Sequence, residues 1–140
     1  MATAAILTLD DARRAIDVIL PELKRRALAA VITVADDHGE LIALMRMDGA
    51  PFSSIAIAMN KAYTAARERK PTKEIGRAAR HPETGFDIAY FGDPRFIGWG
   101  GGVPVLVGGT VIGSIAVSGA PEAVDMELAA LGAATIVKGK

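Results

Sequence analysis

Two strand-like runs joined by Gly108-Gly109 constrain the fold of this chain more than any other feature. Residues 99–107 and 110–118 are rich in β-branched and other apolar side chains. A Gly-Gly pair between two such runs is typical of a tight β-hairpin, because glycine adopts the positive φ angles that the turn requires. The sequence therefore predicts an antiparallel strand pair near its C-terminal end.

A second hairpin is predicted upstream, where Asp37-His38-Gly39 separates strand-like residues 30–36 from residues 40–47. No strand–helix–strand unit repeats along the chain, as a doubly wound parallel sheet would require. Two hairpins with helices around them favour an α+β protein built on an antiparallel sheet.

Four helices are predicted to cover this sheet. Thr8 can cap the first of them, and Pro21 predicts a kink or the start of a new helix. The others are predicted over 54–70 with Ser53 as the cap, from Thr72 to Arg80 or His81, and after Pro121. Residues 81–98 lack periodicity, and a loop of this length is either a packed connector or a functional segment.

Composition excludes several classes of protein. A length of 140 residues fits one domain over 1–140, and 16 basic residues balance 16 acidic ones, which disfavours nucleic-acid binding and makes homo-oligomers easy to form. The absence of cysteine excludes disulfides, thiolate nucleophiles and cysteine-based metal sites. No apolar run is long enough to span a membrane and no signal peptide is evident, so a cytoplasmic protein is expected.

Several motifs occur in the order typical of one family. Residues 100–105 and 108–119 resemble its Gly-Gly-x-Pro strand, Gly-rich turn and final strand. Residues 61–66, followed by Pro71-Thr72, are similar to its "KAxTA…PT" helix, and Asp125 matches the first acid of a pair that opens the last helix. On these motifs the chain resembles the GlcG/HbpS (DUF336) family over nearly its whole length; Met126 departs by standing where the second acid usually lies.

The resemblance implies a profilin-like α/β fold, with an antiparallel sheet of about five strands flanked by helices, and an oligomer. Members are named for haem binding, occur beside glycolate-oxidation genes, or form the C-terminal domain of PduO-type corrinoid adenosyltransferases. Haem or a related tetrapyrrole is therefore the cofactor or ligand that the resemblance suggests. Some haem-binding members use a histidine on the first helix, whereas this first helix has none.

Lys61 and His81 are the candidate acid/base residues. Lys61 lies in the middle of a largely apolar helix, where a desolvated ammonium can bind an anion or transfer a proton. Alternatively, its stem covers apolar side chains, or its charge pairs with Asp125 or Glu127. His81 lies at a helix end and either meets the helix dipole or faces a pocket.

Other residues leave two interpretations open. Trp99 is either an interface anchor or a pocket wall, and the glycines of 98–102 allow either a close backbone approach or a ligand against exposed amides. A basic cluster is either a solvated helix end or an anion site; its members are Arg67, Arg69, Lys70, Lys73, Arg77 and Arg80.

The sequence thus predicts a small-ligand-binding protein with its pocket near the long loop. The predicted lining consists of Lys61, His81, Trp99, Gly101, Gly102 and Asp125, and no metal site is predicted. One alternative is an enzyme acting on a small organic acid or catabolic metabolite, with Lys61 or His81 as acid/base. The other is a non-catalytic accessory or structural subunit.

Overall fold

The computed structural model describes residues 5–140, which form four α-helices, one short 3₁₀ helix and four β-strands. In chain order these are α1 (Leu9–Arg25), β1 (Val31–Asp36), β2 (Leu41–Arg46), α2 (Ser53–Glu68), α3 (Thr72–Ala79), the 3₁₀ helix (Ile88–Phe91), β3 (Gly102–Val107), β4 (Thr110–Ser118) and α4 (Glu122–Lys138).

The four strands form one antiparallel sheet in the order β2-β1-β4-β3. Both predicted hairpins are confirmed, and they meet through β1 and β4, whose register runs from Val31 opposite Ser118 to Asp36 opposite Gly113. The α+β class is confirmed as well. Within the described residues the sheet has four strands, and not about five as the resemblance implies. The segment 81–98 forms a loop and a 3₁₀ turn, in agreement with its lack of periodicity.

The sheet lies between two helical layers, and successive side chains of its strands point alternately to one layer and to the other. Ile32 and Val34 of β1 face α1 and α4 in the main apolar core. Thr33 points the other way, and its hydroxyl donates to the carbonyl of Ala58 on α2 at 2.7 Å. Small residues such as Ala58 and Ala62 let α2 approach the sheet closely, so that Ser114 of β4 also donates to the carbonyl of Ala62.

The predicted helix cap is confirmed for α1 and is wrong for α2. Thr8 and Asp11 form a reciprocal capping box at the start of α1. The helix continues through Pro21, so a new helix does not begin there. Ser53 is the first residue of α2 and not its cap; Phe52 occupies the capping position with helical backbone angles and no side-chain hydrogen bond.

None of the helices within residues 5–140 combines the length and the apolar character needed to cross a bilayer.

Candidate functional site

A cleft of about 670 Å³ opens where β4 ends and α4 begins, facing the first half of α2 and one side of α3. Two connecting segments meet there: β4 leads into α4 through Gly119-Ala120, and the Trp99–Gly100 segment leads into β3. The lining residues are Pro51, Ser53, Ser54, Ile57, Lys61, Lys73, Arg80, Trp99, Gly100, Ser118, Gly119, Ala120, Glu122 and Asp125.

A buried ion pair forms the floor of this cleft. Lys61 of α2 and Asp125 of α4 are 2% and 3% exposed, and the Lys61 Nζ lies 3.4 Å from the Asp125 Oδ2. The ammonium also donates to the carbonyl of Val117 at 2.9 Å, and the other carboxylate oxygen accepts from the backbone N–H of Ala120 at 3.1 Å. Of the two acids that the sequence offered as partners for Lys61, the structure selects Asp125.

Burial shifts both groups of this pair toward their neutral forms. It lowers the pKa of the Lys61 ammonium, although the neighbouring Asp125 carboxylate opposes the shift. It raises the pKa of Asp125 to about 6, against the opposing effects of Lys61 and the backbone N–H of Ala120. A lysine that releases its proton more readily therefore lies beside an aspartate that accepts one more readily.

Gly101 and Gly102 lie behind this floor and do not line the cleft, whereas Gly100 does. Gly101 has a φ of +126°, and a Cβ there would lie 2.7 Å from the Lys61 Nζ and 2.6 Å from the Val117 carbonyl oxygen. Gly102 is pressed against the backbone of Lys61 and donates its N–H to the Thr72 hydroxyl at 3.0 Å. Both glycines therefore permit a close backbone approach, which was one of the two interpretations of this cluster.

Charged side chains of α3 and α4 line the same cleft. The Lys73 Nζ lies 2.6 Å from the Glu122 Oε1, and the second oxygen of Glu122 accepts from the backbone N–H of Gly100 at 2.9 Å. Lys73 and this backbone hydrogen bond together hold the pKa of Glu122 below its usual value. Arg80 is exposed and forms no ion pair with any residue of the described range 5–140.

Sequence reasoning found this charged group only in part. Lys73 and Arg80 belong to the basic cluster predicted around Pro71, and they are the members of that cluster that line the cleft. Glu122 was not a candidate, because an acid in the first turn of a helix is ordinarily explained by the helix dipole. Its position next to Pro121, three residues after Gly119, is the only local signal.

Trp99 separates the cleft from a second, more apolar cavity of about 370 Å³, and Arg80 borders both. Trp99 is 56% exposed and borders both cavities, so it is not part of the apolar core. Residues of the long loop line the second cavity: Phe86, Asp87, Ile88, Ile97 and Gly98. The loop is fixed to α2, since Asp93 accepts a hydrogen bond from the Tyr63 hydroxyl and Ile97 donates its N–H to Thr64.

His81 is exposed beyond the end of α3 and lines neither cavity. Its Nδ1 accepts from the backbone N–H groups of Glu83 and Thr84, both at 3.1 Å. The structure therefore brings Lys61, Trp99 and Asp125 of the predicted lining together and leaves His81 outside. His38 lies in the exposed β1–β2 turn beside Asp36 and Asp37, away from the cleft.

Comparison with known proteins gives matches along almost the entire chain. It is 33% identical over 125 residues to an uncharacterized 15.0 kDa protein from the dhaT-dhaS intergenic region of Citrobacter freundii, covering 89% of this chain and 88% of that protein. Protein GlcG of Escherichia coli K12 is 36% identical over 118 residues, covering 84% of this chain and 85% of GlcG.

Solved structures also match along almost the entire chain. The Klebsiella pneumoniae protein ORFY, of family DUF336, superposes with a TM-score of 0.88 and 29% identity, over 96% of this chain and 94% of that one. PduOC in its haem complex shares the fold with a TM-score of 0.86 and 23% identity, over 94% and 95% of the two chains. Residues 7–134 match the family described as haem degrading protein HbpS-like, and the chain belongs to that family.

Proposed function

We propose that this protein binds a small ligand carrying a carboxylate in the cleft between α2, α3 and α4. The observation that supports this proposal most directly is the position of Arg80, a guanidinium that borders the cleft without an ion-pair partner in residues 5–140. A guanidinium matches the planar geometry of a carboxylate and binds it through two parallel hydrogen bonds. Lys73, already facing the cleft, supplies a second cation.

The other walls suit a small organic molecule. A volume of about 670 Å³ lies within the range of about 300–1,000 Å³ that is usual for such sites. Trp99, Ile57 and Pro51 provide apolar surface, while Ser53 and Ser54 add hydroxyl groups. Membership of a family described by haem degradation also supports a small-ligand-binding protein.

Haem fits this cleft only in part. Its two carboxylates suit Lys73 and Arg80, and its flat ring suits the face of Trp99. Protein ligands to haem iron are most often His, Cys, Met or Tyr side chains, and none of these types occurs among the residues of 5–140 that line the cleft. Among the described residues, the lining therefore suits the carboxylates of haem and offers no usual ligand for its iron. A carboxylate is the part of the ligand that this cleft would recognise.

Substitution of Arg80 tests carboxylate binding. Trp99 is the sole tryptophan and lines the cleft, so its fluorescence reports directly on occupancy. We expect pyruvate, succinate or 2-oxoglutarate to change this emission saturably, and Arg80→Ala to weaken the effective acid about 10–100-fold, the value of a hydrogen bond between charged groups.

Arg77→Ala is the matched control, because Arg77 is exposed on α3, one turn before the C-terminal cap residue Arg80, and does not line the cleft. Its affinity should equal that of the unsubstituted protein. The proposal fails if no carboxylate alters Trp99 emission or raises the melting temperature, or if both arginine variants weaken binding equally.

Hemin titration tests the haem interpretation separately. We expect no Soret shift that depends on His81, because His81 is outside both cavities and its Nδ1 is occupied by backbone N–H groups. The measurement compares the absorption spectra of hemin with the unsubstituted protein and with His81→Ala. A saturable shift that disappears in His81→Ala would show axial ligation by this residue and contradict the expectation.

A second candidate function is an enzyme acting on a small organic acid, with Lys61 as acid/base. The buried Lys61–Asp125 pair favours it, because a passive carboxylate site needs no such pair. His81 is not favoured for this role, since the fold keeps it away from the cleft. Turnover of any bound acid, followed by NMR, would support the enzyme, and an inert complex with every bound acid would exclude it.

A further inference from the structure

We infer that Lys61 and Asp125 form an acid–base pair that moves a proton at the carbon next to the carbonyl group of a bound 2-oxo carboxylate. The inference rests on the proposed binding of a carboxylate in the same cleft, and it adds the substrate class, the reacting atoms and the role of Asp125.

The ion pair lies at a position where charges are costly to hold. Removing two charges from water is costly, and an apolar pair of similar volume often stabilises a fold as well or better. Lys61 is 2% exposed, and α2 packs small apolar residues such as Ala58 and Ala62 around it in sequence, so solvent exposure does not explain a charge at this position. The pair instead borders the cleft, where a ligand can reach it.

The hydrogen bonds of the pair within residues 5–140 leave one Lys61 hydrogen available and hold the Asp125 carboxylate in place. Within the described residues, Lys61 uses two of its three Nζ hydrogens, one to Val117 and one to Asp125, so one remains for a ligand oxygen. Both carboxylate oxygens of Asp125 accept hydrogen bonds, Oδ1 from the backbone N–H of Ala120 and Oδ2 from the Lys61 ammonium. The donor and the acceptor are therefore fixed relative to each other before a ligand binds, as acid–base catalysis requires.

The arrangement of charges selects the substrate class. Lys73 of α3 and Arg80, its C-terminal cap residue, meet the cleft on one side, whereas Lys61 and Asp125 come from α2 and α4 and form its floor. A molecule held by its carboxylate at Arg80 presents the adjacent groups to the floor. In a 2-oxo carboxylate those groups are a carbonyl oxygen, which the ammonium can protonate, and an acidic C–H bond, which the carboxylate can attack.

The proposed step balances without a cofactor. The Asp125 carboxylate takes the proton from the carbon beside the carbonyl, the C–H electron pair becomes a carbon–carbon double bond, and the carbonyl oxygen receives a proton from Lys61. The products are the enol of the acid, a neutral Lys61 amine and a protonated Asp125. Reversal restores the oxo acid, and protons exchanged with water in between replace the original hydrogen.

The acidities of the two groups agree with these roles. Burial raises the pKa of Asp125 to about 6, so its carboxylate is ionised at pH 7 and is a stronger base than an exposed aspartate. Burial also lowers the pKa of the Lys61 ammonium, which makes it a better proton donor.

Hydrogen–deuterium exchange tests the inference on the intact protein. Pyruvate and 2-oxobutanoate are incubated with the protein in D₂O, and the loss of the C3 proton signal is followed by NMR while Trp99 fluorescence reports binding. We expect exchange about 100-fold or more above that in protein-free buffer, within the usual contribution of acid–base catalysis. The rate should rise with pH through about 6 as Asp125 ionises.

Asp125→Asn keeps the shape of the side chain and should reduce exchange to the buffer rate while retaining binding. Glu127→Gln is its control, because Glu127 lies on the same helix, pairs with Arg26 and does not line the cleft. Lys61→Met combined with Asp125→Leu provides a second variant should Asp125→Asn not fold, because it leaves neither charge of the pair unpartnered, and it should lose exchange as well.

The outcomes separate the two proposals. Binding of an oxo acid without exchange, or exchange that persists in Asp125→Asn, overturns the acid–base inference and leaves carboxylate binding in place. Failure of every acid to bind overturns both.

Discussion

Lys61→Ala is expected to destabilise the protein by about 3–5 kcal/mol at pH 8, the usual cost of leaving one member of a buried ion pair without its partner. The residue is 2% exposed, and its ammonium is the only cation that forms an ion pair with Asp125 among residues 5–140. Without it, the carboxylate has to remain charged in a desolvated position or take up a proton.

The loss should be smaller at pH 5. Burial already raises the pKa of Asp125 to about 6, and removal of the ammonium raises it further. A folded pKa above the unfolded value of 3.8 means that the neutral acid is tolerated at low pH and that stability is lost as pH rises through the folded pKa. Urea unfolding at pH 5 and pH 8 measures the difference.

Lys61→Met combined with Asp125→Leu is the companion variant, since it removes both charges and keeps apolar volume. It should regain most of the stability and lose the pH dependence. Equal destabilisation of Lys61→Ala at the two pH values would mean that packing of the lysine stem, and not the orphaned charge, dominates.

Gly101→Ala is expected to destabilise the fold by about 2–4 kcal/mol, because backbone strain and a steric clash act together. The φ of +126° is rare for any residue with a side chain, and the new Cβ would lie 2.6 Å from the backbone oxygen of Val117. It would also lie 2.7 Å from the Lys61 Nζ, so the ion pair has to move. Chemical denaturation and Trp99-monitored binding should therefore both be affected.

Gly92→Ala separates strain from clash. Gly92 has a φ of +73°, and within residues 5–140 no atom beyond those of Gly92 and its chain neighbours lies within 4 Å of the position of an added Cβ. Only the conformational cost of about 1 kcal/mol should remain, with binding unchanged. If Gly101→Ala costs no more than Gly92→Ala, the close approach of Gly101 to the ion pair is not a constraint on the fold.

Local patterns were sufficient for most of the secondary structure. The hairpins follow from turn residues between β-branched runs, and the capping box at Thr8 follows from side chains three residues apart, so neither depends on distant parts of the chain. The number of strands was overestimated because it came from resemblance. Residues 81–98 contain no periodic apolar pattern, and they form no strand.

The site was predictable only as a set of residue types. Lys61 and Trp99 were identified because a lysine in a largely apolar helix and a lone tryptophan are unusual. Asp125 was identified because it matches the acid that opens the last helix of the family and could pair with Lys61. His81 was equally conspicuous in the sequence, but the direction of the chain after α3 leaves it exposed with its Nδ1 bonded to the backbone. Side-chain direction after a helix end depends on packing that no local pattern encodes.

The sequence by itself determined the two hairpins, the helices that cover them and the family, all of which follow from local periodicity and recognisable motifs. Only the tertiary structure decided which acid meets Lys61. Asp125 and Glu127 are two residues apart, about 200° around a helix, so they face different sides of α4. Asp125 turns inward to the cleft, whereas Glu127 turns outward and pairs with Arg26. That choice depends on how α4 rotates against the sheet, and packing across 64 residues of sequence sets it.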